Sequence, residues 1–150
     1  MEMLVSELGN KLKVVLADTF AMHLKAWNYH WNVEGPDFYQ YHEFFGKIYS
    51  DLQDAIDPIA EHIRAIGEYA PGGLMRYAEL SQIQDELTLI PATEAVGRLQ
   101  SDNAIVLINL IIAFHAAEDA NEVGLANFLQ DRIDSHKKLG WMLRASVKSA

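Results

Sequence analysis

Leu4, Leu8, Leu12, Leu16, Phe20, His23, Trp27 and His30 follow one another at steps of three or four residues. An α-helix turns once in about 3.6 residues, so this spacing lays all eight on one stripe of a single helix roughly 30 residues long. A stripe of that length must be covered by other helices, and the rest of the chain supplies them with the same periodicity. Phe45, Ile48, Leu52, Ile56, Ile59, Ile63 and Ile66 form a second stripe, closed by Gly67. Between the two lies Asn32-Val-Glu-Gly-Pro-Asp37, with Gly35-Pro36 as the breaker. Asp57-Pro58 alone would read as the cap and first residue of a new helix. The second stripe passes through Pro58 without a change of register, which predicts one kinked helix instead.

Residues 68–92 make a long connection containing Pro71-Gly72-Gly73, a short helix near Met75–Gln82, and Pro91. Thr93 is the expected N-cap of a third long helix that runs to about Ala120. Asn121 to Gly124 is a tight break, and the fourth helix carries Phe128, Leu129, Ile133, His136 and Leu143. No strand pattern competes. All 150 residues therefore read as one all-α domain, a four-helix bundle whose single long crossover carries a short extra helix. One crossover is the connectivity of the ferritin-like bundle; a cytokine-like bundle needs two.

The chain has no cysteine, which removes thiolate nucleophiles, disulfides, zinc fingers and iron–sulfur clusters. Lys and Arg number 12 against 21 Asp and Glu, a net charge of −9. Counterion release needs clustered cations, so this chain should not grip phosphate backbones, and cations are its more natural ligands. The longest apolar run, Ala104 to Ala117, is interrupted by Asn109 and His115 and falls short of the ~20 residues of a membrane span. It reads as a buried core helix. The opening Met-Glu-Met-Leu-Val-Ser-Glu has no basic segment followed by an apolar stretch, and a cytoplasmic protein is expected.

The chemistry available is that of six histidines, the carboxylates and the hydroxyls. His30, His42, Asp57 and Glu61 stand out. Two imidazoles and two carboxylates suit iron, which must be held in both oxidation states. Asp57 and Glu61 are four residues apart and share a helix face. His42 lies 15 residues before Asp57, a net rotation of about 60°, so it points roughly the same way. The helical rise nevertheless separates them by about 22 Å. If two copies of this helix pack antiparallel about a two-fold near Ser50 and Asp51, His42 of one meets Asp57 and Glu61 of the other. Spacing alone leaves other roles open: Asp57 as a cap, Glu61 solvated, His30 as a core histidine, and the Trp27/Trp31 pair as helix packing. His115-Ala-Ala-Glu118 is a weaker rival cluster.

The run His30-Trp-Asn-x-x-Gly-Pro-x-Phe38, with His42 twelve residues after His30 and then Asp57-x-x-x-Glu61, resembles the Dps family of dodecameric mini-ferritins. The likeness extends to the final helix, ending His136-Lys-Lys-Leu-Gly-Trp141-Met-Leu. It implies a ferroxidase centre between two-fold-related subunits, with His30 and His42 from one and Asp57 and Glu61 from the other. It further implies Fe(II) oxidation, preferentially by hydrogen peroxide, and storage of ferric mineral in a twelve-subunit shell that protects against oxidative stress. Family members commonly carry an Asp where Gly46 stands, so the second iron position loses a ligand, and Gly46→Asp is expected to restore it. An aspartate common at the three-fold entry pore maps to Asn127, with Glu118, Asp119 and Glu122 nearby. DNA binding in the family rests on a Lys-rich tail. Here Lys11 and Lys13 lie within the first helix and Lys148 stands alone, so DNA binding is not expected. The competing readings are a DNA-compacting nucleoid protein with weakened iron chemistry and an inert bundle that only dimerises.

Overall fold

The computed structural model describes residues 1–148, all-helical in their regular elements: α1 (Glu2–Asn32), α2 (Phe38–Ala65), α3 (Leu74–Leu80), α4 (Ala92–Asp119) and α5 (Val123–Val147). α1 packs on α2 and α4, α4 packs on α5, and α3 lies against α1 within the long α2–α4 crossover. This is the one-crossover bundle expected from the spacing. Leu8, Leu12 and Leu16 share one core with Phe45, Leu52 and Ile59 of α2 and with Leu99, Leu110, Leu129 and Leu143 of α4 and α5.

The first stripe does not stay on one face. Its seven steps over 26 residues accumulate about 80° of drift at ~100° per residue. Leu4 is consequently exposed, and the core face passes instead through Val15, Met22, Ala26 and Tyr29. Trp27 and His30 lie half-buried against Tyr49 and His42 of α2, and Phe20 lies half-buried against Tyr77 of α3. The second stripe holds better: Phe45, Ile48, Leu52, Ile59 and Ile63 are buried, and α2 continues through Pro58 as one helix.

Helix ends explain the remaining boundaries. At the end of α2, Gly67 adopts φ +93°, its N–H bonds the Arg64 carbonyl, and Glu68 N–H reaches back to Ile63. Asn121, at φ 59°, closes α4 with the same pair of bonds, to Glu118 and from Glu122 to Ala117. Both are Schellman stops, which need a left-handed residue. At the start of α4 the expectation fails: Pro91, not Thr93, is the N-cap. The Pro91 carbonyl accepts the first intrahelical bond, from Ala95 at 3.0 Å, and a cap position needs no N–H that proline lacks. α3 stops at Leu80 rather than Gln82 because the Ser81 hydroxyl donates to Asp18 Oδ1 at 2.7 Å and accepts from Ile83 N–H at 3.0 Å.

α4 is also less buried than its sequence suggests. By length and composition it is apolar enough to cross a membrane. Val106, Leu110, Ala113 and Ala117 are packed inside the bundle, but Ile108 and Ile112 on the opposite face are 59% and 44% exposed.

Three polar groups cross the interior. Lys25 of α1 pairs with Asp102 of α4 at 3.0 Å, both nearly inaccessible. Asp18 is fully buried and accepts from Ser81 and from Asn109 Nδ2, each at 2.7 Å. His136 donates Nδ1–H to Asn103 Oδ1 at 2.7 Å, Asn103 Nδ2 donates to the His136 carbonyl at 2.9 Å, and Arg132 Nη2 donates to His136 Nε2 at 3.2 Å while pairing with Asp51. Burial, reinforced by the Arg132 charge, pushes the His136 imidazole down to about 3. The unfolded chain therefore binds one more proton than the folded chain between about pH 6.5 and 3. Stability from this group is complete above pH 6.5 and falls with acid by about 1.4 kcal/mol per pH unit. His136→Gln should flatten the pH dependence of unfolding by one proton between pH 6 and 4, measured by urea titration. Superimposable slopes would show that His136 is not held neutral. Asp18 and Asp102, both raised by burial, act in the opposite direction, and subtraction against wild type removes them.

Candidate metal centre

The short turn after α1 folds α2 back along it, which sets His30, in the last turn of α1, opposite His42, in the second turn of α2. The two imidazoles lock each other. His30 Nδ1–H donates to the His42 carbonyl and His42 Nδ1–H donates to the His30 carbonyl, both at 2.7 Å. A carbonyl only accepts, so each ring carries its proton on Nδ1 and leaves the Nε2 lone pair free. Nδ1 held by a carbonyl is the usual outer support of a metal-binding histidine. The rings are stacked, with centroids 3.8 Å apart and planes within 17°. Phe38 stacks on His42 from the far side at 5.0 Å, and Tyr49 presents its edge to His30 at 5.2 Å. Trp27 continues the aromatic row onto Tyr49, at 5.6 Å. A third imidazole, His23, bonds the Tyr49 carbonyl at 3.1 Å and staples the same two helices about two turns deeper. The sequence marked His23 only as part of a stripe.

Asp57 and Glu61 are both exposed and lie on α2 beyond its midpoint. They do not join the histidine pair within one chain. Among the described residues no three His, Asp or Glu side chains of a single chain come close enough to hold a metal ion. The chain thus presents two half-sets, a preorganised imidazole pair at one end of α2 and a carboxylate pair toward the other. Between them Ser50 and Asp54 are exposed as well, so this face of α2 has no covering element in the chain. The rival His115 and Glu118 touch at 3.1 Å, but each is more than half exposed and no third ligand joins them. Glu118 and Glu122 share a surface groove with Asn127, whereas Asp119 lines a different groove.

Comparison with known proteins adds to this geometry. Residues 9–149 match the model of the ferritin-like domain family. DNA protection during starvation protein 2 of Bacillus anthracis is 32% identical over 87% of this chain and 89% of its own. The chain belongs to the Dps branch of the ferritin-like family. The fold agrees: the crystal structure of antigen TpF1 from Treponema pallidum superposes with a TM-score of 0.95 at 26% identity, covering 99% of this chain and 96% of that one. The Dps protein of Vibrio cholerae, described as a member of a superfamily of ferritin-like diiron-carboxylate proteins, superposes with a TM-score of 0.93 at 28% identity, over 97% and 92%. Among the described residues of this Dps chain no glutamates and histidines converge inside the bundle as they do in Glu-x-x-His sites; its interior carries the Lys25–Asp102 ion pair.

Proposed function

We propose that this Dps protein oxidises Fe(II) and stores the ferric product in a hollow shell of twelve subunits, with hydrogen peroxide as the oxidant. The observation that carries the reading is the reciprocal His30–His42 lock, which stacks the two rings and leaves both Nε2 lone pairs free near the start of α2. His30 and His42 of one protomer bind iron together with Asp57 and Glu61 of its two-fold mate. Imidazole nitrogen with carboxylate oxygen suits a substrate ion that passes from Fe(II) to Fe(III) without leaving. Glu61 has two oxygens and bridges two ions, while His30 and Asp57 complete separate shells. Pairing matters because peroxide needs two electrons to become two waters, and two Fe(II) supply one each. No hydroxyl radical is then released. Such a ferroxidase activity belongs in the cytoplasm, where Fe(II) and peroxide meet.

Charge argues against the nucleoid alternative. Twelve copies at −9 each carry −108 formal charges, a shell that attracts cations and repels duplex DNA at moderate salt. Lys11 and Lys13 are engaged within the fold, with Glu7 and Glu68.

A complementation experiment tests the shared site. His42→Ala and Glu61→Gln proteins should each oxidise Fe(II) poorly. Refolded together in equal amounts, the histidines of the Glu61→Gln chain face the carboxylates of the His42→Ala chain at some interfaces. Random pairing makes about a quarter of all sites whole, so oxidation should recover to about that fraction of wild type. A mixture as inactive as its parents would overturn the intersubunit arrangement.

A further inference from the structure

Around residue 86 the crossover runs against hydrophobic expectation. Leu87 and Leu89 turn outward, 87% and 76% exposed, while the Glu86 side chain turns inward and is only 4% exposed. Burying a carboxylate costs free energy unless it is paired and hydrogen-bonded. Glu86 is both. Its Oε1 accepts from Arg98 Nη1 of α4 at 2.6 Å and from the Tyr29 hydroxyl of α1 at 2.8 Å. Its Oε2 accepts from the Thr88 hydroxyl at 3.1 Å, and its main-chain carbonyl accepts from Asn28 Nδ2 at 3.2 Å. Burial and the bond to Glu86 push the Tyr29 phenol up, so the hydroxyl keeps the proton it donates.

Asn28 and Tyr29 lead into the last turn of α1, the turn that carries His30. That end depends on side chains. Where α2 and α4 close on a left-handed residue, α1 ends at Val33 with extended backbone, and the His30 carbonyl is capped by the His42 imidazole. Consecutive residues project about 100° apart on a helix, so His30 grips α2 on one flank and Tyr29 grips the crossover on another. A single grip leaves the turn free to twist. At a side-chain radius of about 6 Å, a twist of about 10° moves an imidazole by about 1 Å, beyond the ~0.5 Å that a working site tolerates. We propose that Glu86 is a positioning residue for His30: by holding Tyr29 and Asn28 it fixes the rotation of the last turn of α1, and with it the direction of the His30 Nε2 lone pair. The inference rests on the reading of His30 as an iron ligand.

Three variants of the assembled protein test it. Tyr29→Phe removes one hydroxyl and keeps the ring. Glu86→Ala removes the acceptor, and the conservative Glu86→Gln keeps an oxygen for Tyr29 while losing the charge that pairs with Arg98. Co(II) alone, without oxidant, is the probe, read by calorimetry, and amide exchange is followed on peptides spanning residues 29–33. Tyr29→Phe and Glu86→Ala should speed exchange in that turn and weaken Co(II) binding by about threefold to tenfold, at or below the loss of a direct outer support. Glu86→Gln should melt as early as Glu86→Ala yet retain the Co(II) affinity. Affinity that follows melting temperature across the two Glu86 variants would reduce the residue to a structural role. Unchanged exchange in Tyr29→Phe overturns the anchor. Faster exchange with unchanged Co(II) binding overturns the positioning, and His30→Ala then separates the causes: weaker Co(II) binding there rejects the role of Glu86 alone, whereas binding equal to wild type rejects His30 as a ligand.

Discussion

His42→Ala should slow peroxide-driven Fe(II) oxidation by on the order of 10²-fold while the shell assembles normally. The substitution removes two things together. One is the Nε2 lone pair of His42. The other is the Nδ1–H bond to the His30 carbonyl and the stacked ring that fixes the His30 orientation. Outer supports of metal-bound histidines are worth about 10–100-fold each, and a ligand that is also a support lies at the upper end. The fold should tolerate the change. His42 is only half-buried, and the core residues Phe45, Ile48 and Leu52 on the adjacent face of α2 remain. One neutral hydrogen bond lost costs about 1 kcal/mol. Stopped-flow oxidation of a few Fe(II) per subunit, with assembly checked by sedimentation, decides the matter. Equal rates in two assembled proteins would mean that the histidine pair is not the working centre.

Lys25→Met should produce the largest loss of stability of any single substitution considered, about 3–5 kcal/mol, because it strands a carboxylate in the core. Lys25 is the polar partner of Asp102 Oδ2, and both side chains are only 7% exposed. Burial already raises the Asp102 carboxyl, and Lys25 opposes that shift. Without the ammonium the carboxyl moves further up. The sign of the pH effect follows. A group whose folded pKa exceeds its unfolded value stabilises at low pH and loses that contribution as pH rises through the folded pKa. The variant should therefore recover toward wild type as pH falls from 7 to 5. Lys25→Met combined with Asp102→Leu should recover most of the loss at pH 7, since replacing a whole buried pair by apolar groups is often neutral. Thermal melting of the three proteins at pH 5 and 7 measures all of this. A single variant that melts with wild type at pH 7 would show the pair to be hydrated rather than buried.

The helices were legible because their cause is local. Apolar residues every three or four positions, Gly35-Pro36, Gly67 and Asn121 act within one turn of the chain, and each acts where its chemistry places it. The errors also have local causes. A step averaging slightly more than one turn rotated the α1 stripe until Leu4 left the core, and Pro91 took the cap from Thr93 because its carbonyl was already placed for Ala95. What the chain order could not disclose was everything set by two helices meeting. Asn103 and His136 are 33 residues apart, and Lys25 and Asp102 sit on different helices, so no periodicity links them.

The same division runs through the metal centre. Sequence by itself determined which residues are proposed as ligands, the shared face of Asp57 and Glu61, and the roughly 22 Å that keeps them from His42 along one helix. Only the tertiary structure decided that His30 and His42 support each other and which of their nitrogens remain free. The physical reason is range. A helix specifies direction and rise from its own backbone, whereas a tautomer is fixed only once a carbonyl from one helix faces an imidazole from another.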